Sequence, residues 1–489
     1  MSVLKARPRL GAATLLVVLT MLLASGGMNS GDGGSELAEA VHFCATGNLA
    51  AGYPLASGFK SSTRGRSWYD ANDLGGTLLM LPAACASTLH GAKELPTGPQ
   101  LTTVAKAGTS LTYALVGGLA VAFVFLALAE ITTLKRSWWW SLGFLFATGF
   151  LAYTKATWSV LPAATAVAAV AWIALRSQRG KDSPRKTVLL AAVAVGLGGL
   201  ARYSVLPFLL VGAVAAVFPA ISKCSRRDLA LAATVLLALT VPDLAYNALR
   251  TGEFWKPAQT ASGDHQITFS YALSTPGMFF GFQHGLLFFA PICLLGYFAA
   301  AYFAVRSFGE TRWRWIVGIL ALVSYAALVC AVQNWDRFGW GPRYLVPLLP
   351  ALFLAAAAMS ERWREARSLS YLLVGLGLLS QIPLMFADWT AVAAAVGKTG
   401  ETPSQIVGIW NSMLHGFAHG NGIGEASSAR ALQVPDVWWW HVVANHAPFG
   451  LGIVLLLSLT GGIAYLGSRV CGEGEGEGAP ATSGAAALS

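Results

Sequence analysis

Carboxylates crowd one short stretch of this chain. Met28 to Pro82 reads MNSGDGGSELAEAVHFCATGNLAAGYPLASGFKSSTRGRSWYDANDLGGTLLMLP and holds Asp32, Glu36, Asp70 and Asp73, in a chain with only 23 Asp and Glu among 489 residues. Asp32 stands among glycines (Gly31, Gly33, Gly34), which let a backbone come close to a ligand. Its spacing by itself reads as a solvated turn aspartate; the chemical alternative is a general base that takes the proton of a hydroxyl. Asp70 and Asp73 bracket Asn72 just before Leu74. Asp73 stands where an N-cap is expected, and for either residue the alternative is a carboxylate that orients a sugar hydroxyl.

Cations of matching interest lie far along the chain: Arg202 in GLGGLARYSVLP and Arg343 in GWGPRYLVPLLP. An arginine at the centre of a bilayer costs about 2.5–3.5 kcal/mol even on the gentler scale, so it faces a polar cavity or snorkels to an interface. Lys155 and His284 are expected at the same face, as interfacial anchors or as further binding groups. A pair of arginines suits a phosphate through charge-assisted hydrogen bonds. A carboxylate near that phosphate suits proton abstraction from a sugar or protein hydroxyl.

The elements that must position these groups are transmembrane helices. The chain is 55% hydrophobic and 11% charged, where soluble domains carry roughly 25% charged residues. Apolar runs of about 20 residues recur, as a hydrocarbon core of roughly 30 Å demands of a helix, and they are continuous rather than alternating, which argues against a barrel. The net charge of +10 comes from Lys and Arg in short inter-helix loops, the positive-inside pattern, and not from a stripe that would bind nucleic acid. The six cysteines show no CxxC or Cys/His spacing, so no metal site is indicated and no cofactor is expected. Cys44 and Cys85 share the first outer segment and are able to pair there; isolated apolar cysteines are the favoured reading.

The expected fold is an all-α integral membrane protein of about 12 transmembrane helices with both termini cytoplasmic. A helix over 10–24 leads out to a long first outer loop, 26–107. That loop holds a short amphipathic helix near 35–44, with Glu36 and Glu39 on its polar side, and an interfacial or re-entrant helix at 74–89. Spans follow near 109–130, 138–152 and 158–175, then two within 188–220 divided at Arg202. The remainder lie near 229–249, 286–305, 315–332, 344–359, 369–387 and 449–467, with a late outer segment at 388–448. Residues 1–467 form one polytopic domain, and the low-complexity tail, 468–489, is expected to be disordered in the cytoplasm. The basic start followed by LGAATLLVVLTMLLASGG also has the form of a signal peptide, but the acidic segment directly after it favours an uncleaved helix. No inverted repeat of the kind many transporters show is visible.

Taken in order, these segments resemble the polytopic glycosyltransferases of the GT-C superfamily, of the protein-mannosyltransferase and lipid A aminoarabinose-transferase kind. An acid follows the first helix in SGDGGSELAEAVHF; then come YDANDLGGTLLMLP (69–82), GLGGLARYSVLP (196–207), YNALRTGEFWKP (246–257) and GWGPRYLVPLLPALF (339–353). Order and membrane placement carry the resemblance, which runs over most of the chain. It implies an outward-facing plasma-membrane enzyme that takes a sugar from a polyprenyl-phosphate carrier and inverts the anomeric carbon. On that resemblance Asp32 is the acidic base, and Arg202 and Arg343 are the basic groups near the lipid phosphate. Asp70, Asp73, Lys155 and His284 are the further substrate-binding candidates. The chain departs from the family pattern twice: TPGMFFGFQHGLLFFAP puts His284 where an arginine is expected, and 388–448 shows no recognisable soluble domain. The expected activity is transfer of a hexosyl or pentosyl unit to a lipid, glycan or protein acceptor of the cell envelope. A flippase for a lipid-linked saccharide and a non-catalytic membrane scaffold are the competing classes.

Overall fold

Apolar runs set the helices, and small or polar residues set where they stop. The computed structural model of the chain describes residues 7–26, 31–51, 61–64, 67–70, 72–91, 94–95, 98–99, 101–255, 275–282, 285–331, 341–386, 405–410, 437–443 and 449–475. In order the helices are α1 (Pro8–Leu22), α2 (Gly31–Thr46), α3 (Leu74–Leu89), α4 (Thr103–Leu128), α5 (Leu134–Ala147), α6 (Phe150–Thr154), α7 (Val160–Gln178), α8 (Pro184–Ala201) and α9 (Leu206–Ile221). They continue as α10 (Arg226–Thr251), α11 (Thr275–Phe280), α12 (Leu286–Phe289), α13 (Pro291–Arg306), α14 (Gly309–Ala331), α15 (Leu349–Arg362), α16 (Arg364–Gln381), α17 (Trp438–Val443) and α18 (Phe449–Glu475). Local chemistry explains the ends. Thr102, Thr133 and Ser183 cap α4, α5 and α8 through their side-chain oxygens, and Ser225 with Asp228 forms a capping box at α10. Gly252, with φ +86, stops α10 in the left-handed region that favours glycine.

Long apolar helices follow one another along the chain, as expected of an all-α, multi-pass membrane protein. Among the described residues nine helical stretches are long and apolar enough to cross a bilayer. Three others expected to cross, α1, α5 and α13, have 15, 14 and 16 residues. At 1.5 Å per residue they reach about 21–24 Å, less than the hydrocarbon core of roughly 30 Å. The interior is built around α4 and α15, the most enclosed of the long apolar helices. Helix α4 packs on α1, α5 and α7, and α15 packs on α13 and α16.

The segment expected to form the first outer loop differs from its expected form in four ways. The helix expected at 35–44 runs over Gly31–Thr46, so Asp32 lies in its first turn and not on a turn leading into it. Glu36 and Glu39, expected on a polar face, are 1% and 0% exposed, because α2 packs along α3 rather than lying free at an interface. A β-hairpin joins β1 (Ser61–Arg64) to β2 (Ser67–Asp70), with Ser61 opposite Asp70, and a smaller one pairs β3 (Glu94–Leu95) with β4 (Gly98–Pro99). Cys44 and Cys85 form a disulfide between α2 and α3, which corrects the reading of isolated cysteines. At the other end of the chain α18 continues to Glu475, inside the tail expected to start at 468; residues 476–489 lie outside the described residues.

Ion pairs tie the loops at the basic ends of the helices. Buried Glu130, just past α4, accepts from Arg9 at 2.9 Å and from Lys181 at 2.5 Å. In the next loop Arg176 and Lys186 hold Asp182, and the hydrogen bond from Arg176 brings its carboxyl down to about 2. Arg136 on α5 meets Glu361 on α15 at 2.7 Å.

Candidate active site

Of the acids and cations singled out in the sequence, Asp70, Asp73, Arg202 and Arg343 come near one another, at the end of the helices away from those ion pairs. Helix α10 supplies one wall. Asp243, Tyr246, Asn247 and Arg250 fall at i, i+3, i+4 and i+7, one face of a helix. All four are buried, while Leu237, Val241 and Leu249 on the other side are exposed. A polar face turned inward on a helix otherwise open to lipid marks a site that needs those groups.

Glu39 is the hub of the acidic half. Its Oε2 accepts from Thr77 Oγ1 at 2.8 Å, and its Oε1 accepts from Tyr246 OH at 2.5 Å and from the Asp70 amide at 3.2 Å. Burial pushes the Glu39 carboxyl up, against the pull of these donors and of Arg250. Glu36, one turn earlier, accepts from Tyr113 OH at 3.4 Å; its carboxylate fills the space beside Gly76, where any side chain on α3 would collide with it. Asp70 turns its carboxylate onto its own loop, accepting from the Asn72 amide at 3.2 Å and from Asn72 Nδ2 at 3.4 Å. Arg250 closes that loop from behind: its Nη1 donates to the carbonyls of Asp70, at 2.9 Å, and of Asn72, while Nε and Nη2 hold Asn247 Oδ1.

Asp73 takes the N-cap position of α3, yet its side chain makes no capping bond. The first amide of the helix, Leu74 N, is met instead by Asp243 Oδ1 at 2.9 Å. Asp73 is thereby released from the cap expected of it. Its Oδ2 accepts from Tyr203 N at 3.1 Å, its Oδ1 lies 4.0 Å from Arg250 Nη2, and its side chain remains 18% exposed. Burial pushes its carboxyl up, opposed by Arg250 and Arg202.

Arg202 connects the acidic half to the basic one. Glycines and the Tyr203–Val205 turn break the span between α8 and α9 there, and Arg202 is extended, with φ −154. Its Nη1 donates to Ser159 Oγ at 3.0 Å, and its guanidinium faces Asp73, Tyr325 and Tyr344. It lies 4.7 Å from the Tyr344 ring centroid, and Arg343 lies 4.5 Å from the same ring and 3.9 Å from that of Trp158. Prolines 342 and 347 hold Arg343–Leu348 as a 3-10 turn, and Arg343 itself is 7% exposed. The two arginines thus share one aromatic ring although 141 positions separate them.

Lys155 follows α6 and is 2% exposed, donating to the Leu384 carbonyl at 3.1 Å, so it is an interior group and not an interfacial anchor. Beside the Arg343 turn Gly149, Tyr153, Phe289, Pro342 and Val346 line a small cleft. His284 and the side chain of Asp32 lie outside the described residues. The sequence reading did not single out Glu39, Asp243, Tyr246, Asn247 or Arg250 as site residues. The i, i+3, i+4, i+7 polar spacing on an apolar span was the signal for the last four. Glu39 had none, since an acid on an amphipathic helix reads as a solvated one. Among the described residues no cluster of three or more His, Cys, Asp or Glu is arranged to hold a metal.

Fold and site together define an integral, multi-pass membrane protein with a polar interior at one end of its helix bundle. No family model matches the chain, and no curated protein sequence matches it. Its fold is similar to that of ArnT from Cupriavidus metallidurans bound to undecaprenyl phosphate: TM-score 0.51, 15% identity, 96% of this chain and 76% of that one. The apo state of ArnT gives TM-score 0.50 at 16% identity over 95% of this chain and 75% of that one. The oligosaccharyltransferase AglB from Archaeoglobus fulgidus, in complex with an inhibitory peptide and a dolichol-phosphate, gives TM-score 0.41 at 12% identity, over 93% of this chain and 60% of that one. The ArnT likeness is one of fold, and it agrees with the GT-C architecture expected from the order of motifs.

Proposed function

We propose that this chain is an inverting glycosyltransferase that moves a sugar from a polyprenyl-phosphate carrier to a hydroxyl of a lipid, glycan or protein acceptor. The observation that carries the reading is Arg202, held between Asp73 on one side and the Tyr344–Arg343 pair on the other. Cations suited to a phosphate in this reading lie near Asp73, a carboxylate suited to a sugar hydroxyl. In the reaction the acceptor oxygen bonds to the anomeric carbon from the face opposite the phosphate, and the bond from that carbon to the phosphate oxygen breaks. The acceptor proton passes to Asp32, and Arg202 and Arg343 stabilise the charge left on the lipid phosphate. Such a base is worth roughly 10²–10⁴ in rate, and cations aimed at the developing charge add to it.

Within this reading Asp73, the partly open carboxylate, meets the sugar, and Asp70 shapes the loop that presents it. Lys155 and His284 complete the donor end, with His284 in place of the arginine of the family pattern. The likeness to ArnT bound to undecaprenyl phosphate supports a polyprenyl-phosphate donor. The Cys44–Cys85 disulfide supports an outer, oxidising face for α2 and α3 in a twelve-span chain with both ends cytoplasmic.

The test is release of free polyprenyl phosphate from a labelled polyprenyl-phosphate sugar by purified protein in detergent. Asp32→Asn is expected to abolish release while retaining donor binding. Leaflet exchange of the donor in liposomes without cleavage would replace the enzyme reading by a flippase.

A further inference from the structure

Two stretches of the late outer segment pack on the bundle at separate places, one at the Arg343 turn and one at the end of α1. Residues 405–410 sit at the Arg343 turn: Gln405 Oε1 accepts from Gly341 N at 3.0 Å, Ile409 is fully buried, and Trp410 Nε1 donates to the Leu379 carbonyl at 3.2 Å. Gly341 has φ +57 and leans on the Phe289 ring, and its carbonyl accepts from Arg343 N at 2.9 Å. The turn that launches Arg343 is therefore gripped by Phe289 from the bundle and by Gln405 from the late segment.

The second stretch grips the other half. Trp438 N donates to the Ala24 carbonyl at 2.9 Å, Trp438 Nε1 to Met21 at 3.0 Å, and Trp439 Nε1 to Leu22 at 2.9 Å. Met21 and Leu22 end α1 and Ala24 lies two residues beyond it, so these bonds hold the exit of that helix. Gly26, with φ +79, packs directly on Trp438, and α2 with Asp32 starts at Gly31. The late segment thus caps the helix from which the chain enters the acidic half.

We infer that residues 405–410 and 437–443 are positioning elements for the two ends of the reaction: Gln405 aims Arg343 at the donor phosphate, and Trp438 with Trp439 sets the exit of α1 that leads to Asp32. The functional half of this inference rests on the glycosyltransferase reading; the structural half does not. Losing one such hydrogen bond weakens what it positions by about 3- to 10-fold.

Hydrogen exchange and kinetics on the full-length protein test the two halves. Gln405→Ala is expected to speed exchange in peptides covering 341–346, leave 19–26 unchanged, and raise the donor KM about 3- to 10-fold with kcat near wild type. Trp438→Phe and Trp439→Phe are expected to do the reverse, speeding exchange over 19–26 and lowering kcat about 3- to 10-fold at unchanged donor KM. Gln405→Glu keeps an acceptor for Gly341 N and should restore the slow exchange at 341–346. Unchanged exchange in both regions overturns the inference. So does a joint fall of kcat and of donor affinity in every variant, which is the mark of a merely destabilised protein. If wild-type protein fails to cleave the donor while the exchange pattern holds, the glycosyltransferase reading falls and the positional coupling stands.

Discussion

Asp243 occupies a role that a helix ordinarily gives to the residue just before it. By accepting from Leu74 N it frees Asp73 to face Arg202 and Arg250, so one carboxylate does structural work and its neighbour stays available. Asp243→Ala would leave the Leu74 amide buried without a partner, a loss of about 1–3 kcal/mol. Asp243→Ala is therefore expected to lower the melting temperature and the turnover, and Asp243→Asn, which keeps an acceptor at the same place, to recover most of both. Equal loss in the two variants would assign Asp243 a role through its charge and not through the cap. Arg202 shows the same economy, since its Ser159 bond and its stacking on Tyr344 fix a guanidinium that a lysine could not hold in that plane.

Helices α2 and α3 behave as one unit. Glu39 bonds Thr77, Glu36 fills the space beside Gly76, and Cys44 is bonded to Cys85 near the far end of the pair. Gly75 adds the other side of the clamp: a side chain there would come within 2.5 Å of the Leu200 carbonyl, so α3 lies close against α8 and Arg202. A disulfide closing a loop of this kind typically stabilises by about 2–4 kcal/mol. Reductant, or Cys44→Ser with Cys85→Ser, is thus expected to lower the melting temperature and to reduce turnover more than donor binding, because α2 carries Asp32 whereas both arginines lie on other elements. Thiol alkylation followed by mass analysis reads the bond directly. An alkylated pair in protein purified without reductant would remove the clamp from the account.

On the scale of the whole molecule, charge is segregated. Glu130, Asp182 and Glu361 bind basic loops at one end, while the acids of the site meet Arg202 and Arg250 at the other. This segregation follows the positive-inside pattern and sets the orientation proposed for the chain. In a Cys224→Ser background, Glu253→Cys is expected to react with a membrane-impermeant maleimide in intact cells, and Lys186→Cys only after permeabilisation. The opposite pattern would put the site on the cytoplasmic side and remove the outer-face reaction.

Much of the frame was legible in the sequence because helices answer to local rules. Apolar runs, Thr and Ser caps and Gly or Pro breaks act within a few residues, so α3 starts at the expected Leu74 and ends at the expected Leu89. The same locality marked Arg202 and Arg343 as breaks where a cation sits at the end of a span. What meets across the bundle obeys no such rule. Glu39 reaches Tyr246 over 207 positions, and Asp243 caps α3 over 169. The cap of Asp73, the solvated face of Glu39 and the isolated cysteines were all reasonable local readings, and packing overruled each of them. Carboxylates clustered after the first span are a property of the sequence; that Asp73 gives up the cap to Asp243 and that Glu39 is buried was decided only when α2, α3 and α10 closed on one another.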